Sequence, residues 1–474
     1  MWNPCRWGLL AAGLGALLAC GGAATRRGDT VLFASGADLQ SINPLFTVHP
    51  LARQVQRYVL LTTLVQYDST MQVAPYLARR WAWSADGRRL TMTLSTEVRW
   101  HDGAPTTARD AAWTLAAGQN IGIGYPRLTD LAGLTAAAPD DSTLVLTFAA
   151  PPGRVPDVLT DLAILPHHLL DTVPLERLRQ AAWHQAPVGN GPFRFVAHEP
   201  NRRWVFARNP AFPASLGGPP ALARLVIAVV DEPMTKLAAL AAGELDFAGI
   251  QPAHARFVAE RPELRAVDYP LLFSVGIVFN ARHPPFDALA ARAAVAAALD
   301  RQAIVDGFTY GFATPGDSPI PPGVPAPGGP GRPRPVTAAG PPLSFELLTV
   351  GSGEAAMEQM LQAQLARHGM TVRIRQLELS AFLARVYGPA PDFDAAVLGT
   401  PGDLGLGYLA PLAELSGLRA PAGPAAVLRF IEDSVPVTIV YHARGLQGMN
   451  RRVQGVEFGL RGELATVSRW HVTP

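Results

Sequence analysis

The sequence predicts an α/β fold of more than one domain, from two strand–helix–strand units and a compositional break between them. In the first unit, residues 225–230 form a continuous apolar run, as in a strand buried on both faces. A helix over 234–242 and a strand over 244–248 complete a βαβ unit. The second unit has a strand over 343–350, a helix over 354–368 and a strand over 370–376. Met357, Met360, Leu361, Gln364 and Leu365 put a mostly apolar stripe on one face of that helix. Between the units lie residues 315–342, saturated with Pro and Gly, which predict an exposed, extended loop. At roughly 150 residues per domain, a chain of 474 suggests about three.

Residues 1–19 read as a targeting segment. Arg6 precedes an apolar run over 8–19, which is too short for a hydrocarbon core that needs about 20 residues. Leu17-Leu18-Ala19-Cys20 resembles a lipobox, implying a signal peptide over 1–19, lipidation at Cys20 and a tether over 20–29. The alternative is an ordinary signal peptide cut near Ala23. Cys5 and Cys20 are the two cysteines. With Cys5 removed, a mature chain starting at Cys20 has no disulfide framework, zinc–thiolate site or cysteine nucleophile. The formal charge is +2, Lys236 is the one lysine, and the scattered arginines are nearly balanced by acidic residues. That pattern lacks the basic stripe of a nucleic-acid surface.

Residues 30–34 read as the first strand, followed by a loop through Ser41-Ile42-Asn43-Pro44 and a helix-like stretch over 51–64. Residues 81–147 alternate strands and turns around one helix. There Leu90, Met92 and Leu94 alternate with threonines, as in a half-buried strand. Val98 and Trp100 continue it, and His101-Asp102-Gly103 forms a turn. Thr106 or Thr107 can then cap a helix beginning near Ala108. Residues 151–183 form a helical segment broken by prolines.

The run from Leu90 to Leu115 closely resembles the signature of the family 5 extracytoplasmic solute-binding proteins, the dipeptide, oligopeptide and nickel binders of ABC importers. Three further segments carry the same resemblance in the same order. They are Gly189-Asn190-Gly191-Pro192-Phe193 with Arg208-Asn209-Pro210; Asn280, Pro285-Phe286-Asp287, Arg292 and Asp300-Arg301; and Glu432-Asp433-Ser434-Val435-Pro436-Val437. The resemblance implies a periplasmic-binding-protein-like α/β fold: two lobes joined by a hinge, with an extra domain inserted in the first. The first lobe is expected over 30–66, 185–275 and 446–474, the inserted domain over 67–184, and the second lobe over 276–445. Crossings are expected near 272–280 and 441–445.

The same resemblance marks a ligand region. Phe393 to Asp403 is similar to the family's strand running into the cleft, and the final aspartate pairs there with a peptide's α-amino group. Asp403, Gly399 and Thr400 are the expected ligand residues of the second lobe. Phe46, Val48 and His49 are those expected of the first. The alternative for Asp403 is a solvated loop aspartate beside Gly402 and Gly405. The sequence also departs from its family: Thr400 stands where an aromatic is usual, and Pro401 lacks the N–H that would pair with an extended peptide. The helical stretch leading to Glu432 is cut down to residues 411–431.

Other chemistries lack their residues. Gly351-Ser352-Gly353-Glu354-Ala355-Ala356 fits a dinucleotide fingerprint, with Glu378 where a ribose ligand belongs, but it equally describes a tight strand-to-helix turn. His167-His168 has Asp171 as its one nearby ligand candidate, so no metal site is expected. No metalloprotease, nucleophile-elbow or P-loop pattern occurs, and no nucleophile and base can be located. The sequence therefore reads as a binding lipoprotein of the periplasm or cell-envelope exterior: no enzyme, no cofactor, no nucleic acid. It is expected to be a monomer that captures a small ligand, in first place a peptide, for ABC importer permease subunits. A nickel chelate or other non-peptide solute, or a degenerate member without a transport role, stands as the alternative.

Overall fold

Two long antiparallel strands, Leu264–Phe279 and Val437–Asn450, run through the centre of one large mixed sheet and belong to both of its halves. The computed structural model describes residues 28–473 except 48, 326, 328–342 and 352. The expectations placed on residues 1–27, Cys20 among them, and on Val48 lie outside the described residues. Among the described residues no helix is long and apolar enough to cross a membrane.

On one side of the crossing strands stand Phe247–Gly249, Thr30–Ser35, Arg224–Val229, Arg203–Arg208 and Phe193–Glu199. On the other stand Ala395–Pro401, Ser344–Val350 and Thr371–Leu377. Each half has a parallel centre. Thr30–Ser35 runs parallel to Arg224–Val229, and Ser344–Val350 to both of its neighbours. Parallel strands need helices on both faces, which is why they read as unbroken apolar runs. In the second lobe Ile277, Leu347 and Val397 point into one core, while Val278, Leu348 and Leu398 point into another.

Residues 78–148 build a separate four-stranded antiparallel sheet around the helix Ala108–Gln119. Leu90, Met92 and Leu94 are buried there, alternating with exposed or half-buried positions. Thr107 and Asp110 form a capping box at the helix start. The inner face of this sheet shares one continuous core with Val31, Phe33, Leu60 and Phe206 of the first lobe.

The crossing strands lose register between Pro270, opposite Arg444, and Ser274, opposite His442. Such an irregularity bends the strand, and here it lies between the two halves. Ser274 and His442 are both buried at the break. Since His442 Nε2–H donates to the Ser318 carbonyl at 3.0 Å, its Nδ1 accepts the Ser274 hydroxyl at 2.8 Å.

Two expectations need correction. Residues 51–64 are not one helix: the α-helix Pro50–Val55 passes into a wider π-helical turn, Gln56–Leu60. The widening lets Asn190 and Gly191 donate to the Leu60 carbonyl. The Pro/Gly-rich segment is not an exposed loop at its start. Ala313–Pro315 pairs with the second crossing strand, and Ile320 and Val324 are buried in the second lobe.

Candidate functional site

The most distinctive sequence motifs meet one another inside the first lobe. His101 Nδ1 accepts from the Gly189 N–H at 3.2 Å, and its Nε2–H donates to the Gly191 carbonyl at 3.0 Å. One neutral tautomer satisfies both bonds. Burial pushes the His101 imidazole down to about 4, which keeps it neutral. Asn190 accepts from the Thr62 N–H at 2.8 Å and donates to Thr106, and Asn209 donates to the Gly191 carbonyl. A Cβ on Gly191 would lie 2.6 Å from the Leu60 carbonyl carbon, so only glycine allows this approach. These motifs are a joint between the inserted sheet and the first lobe. His168 is drawn to the same turn by Asp102 at 2.8 Å.

The ligand candidates of the second lobe lie where parallel strands end, the usual position of a binding crevice in an open α/β sheet. Gly399 and Thr400 close the strand Ala395–Pro401, opposite Val275 and Ser274. The Gly402 N–H donates to the Leu272 carbonyl at 2.7 Å. By alternation, Thr400 also turns its backbone groups to the crossing strand, whereas Gly399 and Pro401 turn theirs away. Ser344–Val350 pairs with this strand only at Ala395 and Ala396. Among the described residues, the outer edge at Gly399 and Pro401 therefore carries one N–H and two carbonyls with no strand paired to them.

Asp403 follows immediately. Its carboxylate accepts from the Gly407 and Tyr408 N–H groups, both at 3.1 Å, and so caps the turn into the helix Leu409–Glu414. Each oxygen keeps a lone pair for a further donor. Across from this turn stand Arg154 and Asp157, held together at 2.7 Å, with Tyr67 donating to Asp157. A Cβ on Gly405 would lie 2.6 Å from Asp157 Oδ2 and 3.1 Å from Asp403 Oδ1. The halves meet at that glycine. Gly405→Leu is accordingly expected to prop them apart without touching either core, so small-angle scattering should give a larger radius of gyration. An unchanged radius would show that this contact does not limit closure.

The first-lobe candidates are engaged internally. Phe46 lies under the Arg179 guanidinium, 4.2 Å from the ring centre, and 5.9 Å from the His184 ring. His49 caps Pro50–Val55 by accepting from the Ala52 N–H at 3.2 Å, and burial lowers its pKa. These contacts involve neither Gly399 nor Asp403. Phe273, which carries no sequence motif, pairs with Pro401 and is 37% exposed. It is hidden in the apolar run 271–273, and it lies just beyond the residues that pack into the second lobe.

Nearby, Asp161 draws in Arg53, Arg57 and Arg127, the last two at 2.8 and 3.1 Å. Burial alone would raise the Asp161 carboxyl, but the guanidinium groups outweigh it and hold the pKa at about 2. Among the described residues no group of three or more His, Cys, Asp or Glu side chains is placed to hold a metal ion. At the dinucleotide-like turn, Glu378 is spent on the Ser380 N–H as the cap of Leu379–Tyr387.

The model of the bacterial extracellular solute-binding proteins, family 5, middle, matches residues 72–410. A Brucella ovis protein named as an ABC transporter peptide-binding protein is 29% identical over 255 residues, 53% of this chain and 48% of its own length. The chain thus spans about half the length of that relative. The nickel-binding periplasmic protein of Escherichia coli is 26% identical over 324 residues, 65% of this chain and 59% of its own length. The structure of the ABC transporter substrate binding protein CtaP from Listeria monocytogenes superposes with a TM-score of 0.83 at 17% identity. That match covers 94% of this chain and all of the other. With a sheet shared between two α/β lobes and a family match over most of its length, this chain belongs to the bacterial extracellular solute-binding proteins of family 5.

Proposed function

We propose that this chain captures a small solute, a peptide in first place, between its two lobes and delivers it to the permease subunits of an ABC importer. It acts outside the cytoplasmic membrane, as a monomer held there by a lipid on Cys20, and makes or breaks no bond. The carrying observation is the open strand edge at Gly399 and Pro401, at the carboxyl end of a strand beside the hinge. An extended backbone can add to such an edge, which supplies affinity without demanding a particular sequence. Ligand that bridges the lobes favours the closed form by its differential affinity for it. Asp403 then receives the ligand's ammonium group through its free lone pairs, a charge-assisted bond.

One observation favours a second reading, a metal chelate or other non-peptide solute. Pro401 removes a donor from the edge, so an extended backbone finds fewer partners there than a regular strand offers.

Calorimetry with free and N-acetylated tripeptides, backed by mass spectrometry of solute carried through gentle purification, separates the two. Free peptides should bind, and both N-acetylation and Asp403→Asn should weaken binding roughly thirtyfold. Equal binding of free and acetylated peptides removes Asp403 from the ligand. A co-purified chelate, with no peptide binding, replaces the peptide reading by the second one.

A further inference from the structure

Phe273 and Gly399 fit one another in a way that neither the strand nor the core requires. On the first crossing strand, Val275, Ile277 and Phe279 are 9%, 1% and 0% exposed and pack into the second lobe. By alternation Phe273 belongs to the same face, yet it lies beyond that packing and remains 37% exposed. Its ring leans across the neighbouring strand, over Gly399. A Cβ on Gly399 would lie 2.6 Å from Phe273 Cζ and 3.1 Å from Cε1. Gly399 is itself exposed. The missing side chain leaves a slot that the ring enters from one side, directly beside the N–H and carbonyl that Gly399 turns away from the crossing strand.

We propose that Phe273 is the wall of an apolar subsite at Gly399, and that it takes an apolar, preferably flat, side chain of the bound ligand. The inference rests on the peptide reading of the cleft given above. A ligand residue paired to the Gly399 edge has its side chain above or below the strand pleat, and on this face it meets the Phe273 ring. Aromatic rings pack well offset or edge to face, so an aromatic ligand side chain gains more than an aliphatic one. Thr400 turns to the opposite face and does not compete for the space.

The test uses the full chain, the tripeptides Ala-Phe-Ala and Ala-Ala-Ala, and calorimetry. Wild type should bind Ala-Phe-Ala about tenfold more tightly, the scale of one aromatic pair. Phe273→Ala should remove that preference while binding Ala-Ala-Ala within about twofold of wild type. Phe273→Leu keeps apolar bulk at the strand and guards against a folding defect. It should lose most of the preference while melting like the wild type. If the variants keep the tenfold preference, or wild type binds the two peptides equally, the subsite is wrong while the peptide reading stands. If neither peptide binds wild type, the peptide reading fails and the subsite falls with it.

Discussion

Asp161→Asn is expected to destabilise the protein by about 3–5 kcal/mol, the cost of removing one partner from a buried ion pair. The Asp161 side chain is 8% exposed and faces Arg53, Arg57 and Arg127. Asparagine keeps the shape but leaves three guanidinium groups crowded together with no carboxylate between them. The loss should spread beyond the pair, because Arg57 also donates to the Arg461 carbonyl and so ties helix, inserted segment and C-terminal segment together. Adding Arg57→Gln to Asp161→Asn should recover part of the stability by relieving the repulsion.

The acid dependence follows from the same cluster. The folded value of about 2 lies below the ordinary 3.8. The stabilisation is therefore complete above about pH 3.8 and is lost as pH falls through about 2. Melting temperatures of wild type and variant should differ by a constant amount above pH 4 and converge below it. A gap that persists at pH 2 would show that the carboxylate charge is not the cause. His101 acts in an earlier window. Its folded value of about 4 lies below the ordinary 6.5. Its contribution is complete above pH 6.5 and is lost as pH falls through 4.

Arg292→Met should be nearly as damaging, at about 3 kcal/mol or more. Arg292 is 4% exposed and makes four bonds to backbone carbonyls. Nε and Nη2 donate to Ser434 at 2.9 and 2.7 Å, and Nη1 donates to Phe286 and Asp287 at 2.6 and 3.1 Å. Ser434 ends the helix Pro424–Ser434, where carbonyls lack helical partners and a cation is favoured. Methionine fills the space but takes the guanidinium donor from the buried Phe286 carbonyl and from the half-buried Ser434 carbonyl, at about 1–3 kcal/mol each. Arg292→Lys keeps the charge and loses the fork, so it should fall between the two. Equal melting of wild type and Arg292→Met would mean the carbonyls find other donors.

Arg292 belongs to the signature motifs. They resemble a family whose members bind solutes, yet in the structure they hold backbone together. His101, Asn190 and Asn209 knit the inserted sheet to the first lobe. Asn280 donates to the Phe393 carbonyl, and Arg301 donates to the Ile439 carbonyl and Thr438, inside the second. A buried donor must find its acceptor, and that demand pins residue types more tightly than ligand contact does. Such residues identify the fold and say little about the ligand.

What the sequence determined by itself follows from local periodicity and local chemistry. The apolar run at 225–230, the alternation at Leu90, Met92 and Leu94, and the Thr107–Asp110 capping box each depend on neighbours a few residues away. They were legible for that reason. The π-helical turn at Gln56–Leu60 was not, because its cause is a carbonyl claimed by Asn190 and Gly191, well over a hundred residues later. The burial of Ile320 and Val324 inside a Pro/Gly-rich stretch depends likewise on a distant core. Phe46 and Asp403 carry polar or aromatic groups that suit a ligand, and only packing decided that Arg179 covers one ring and the Gly407–Tyr408 turn engages the other's carboxylate. Phe273 shows the same division in reverse. Its apolar character is in the sequence, but its exposure comes from where the second-lobe core ends, beyond Val275, which only the tertiary packing decides.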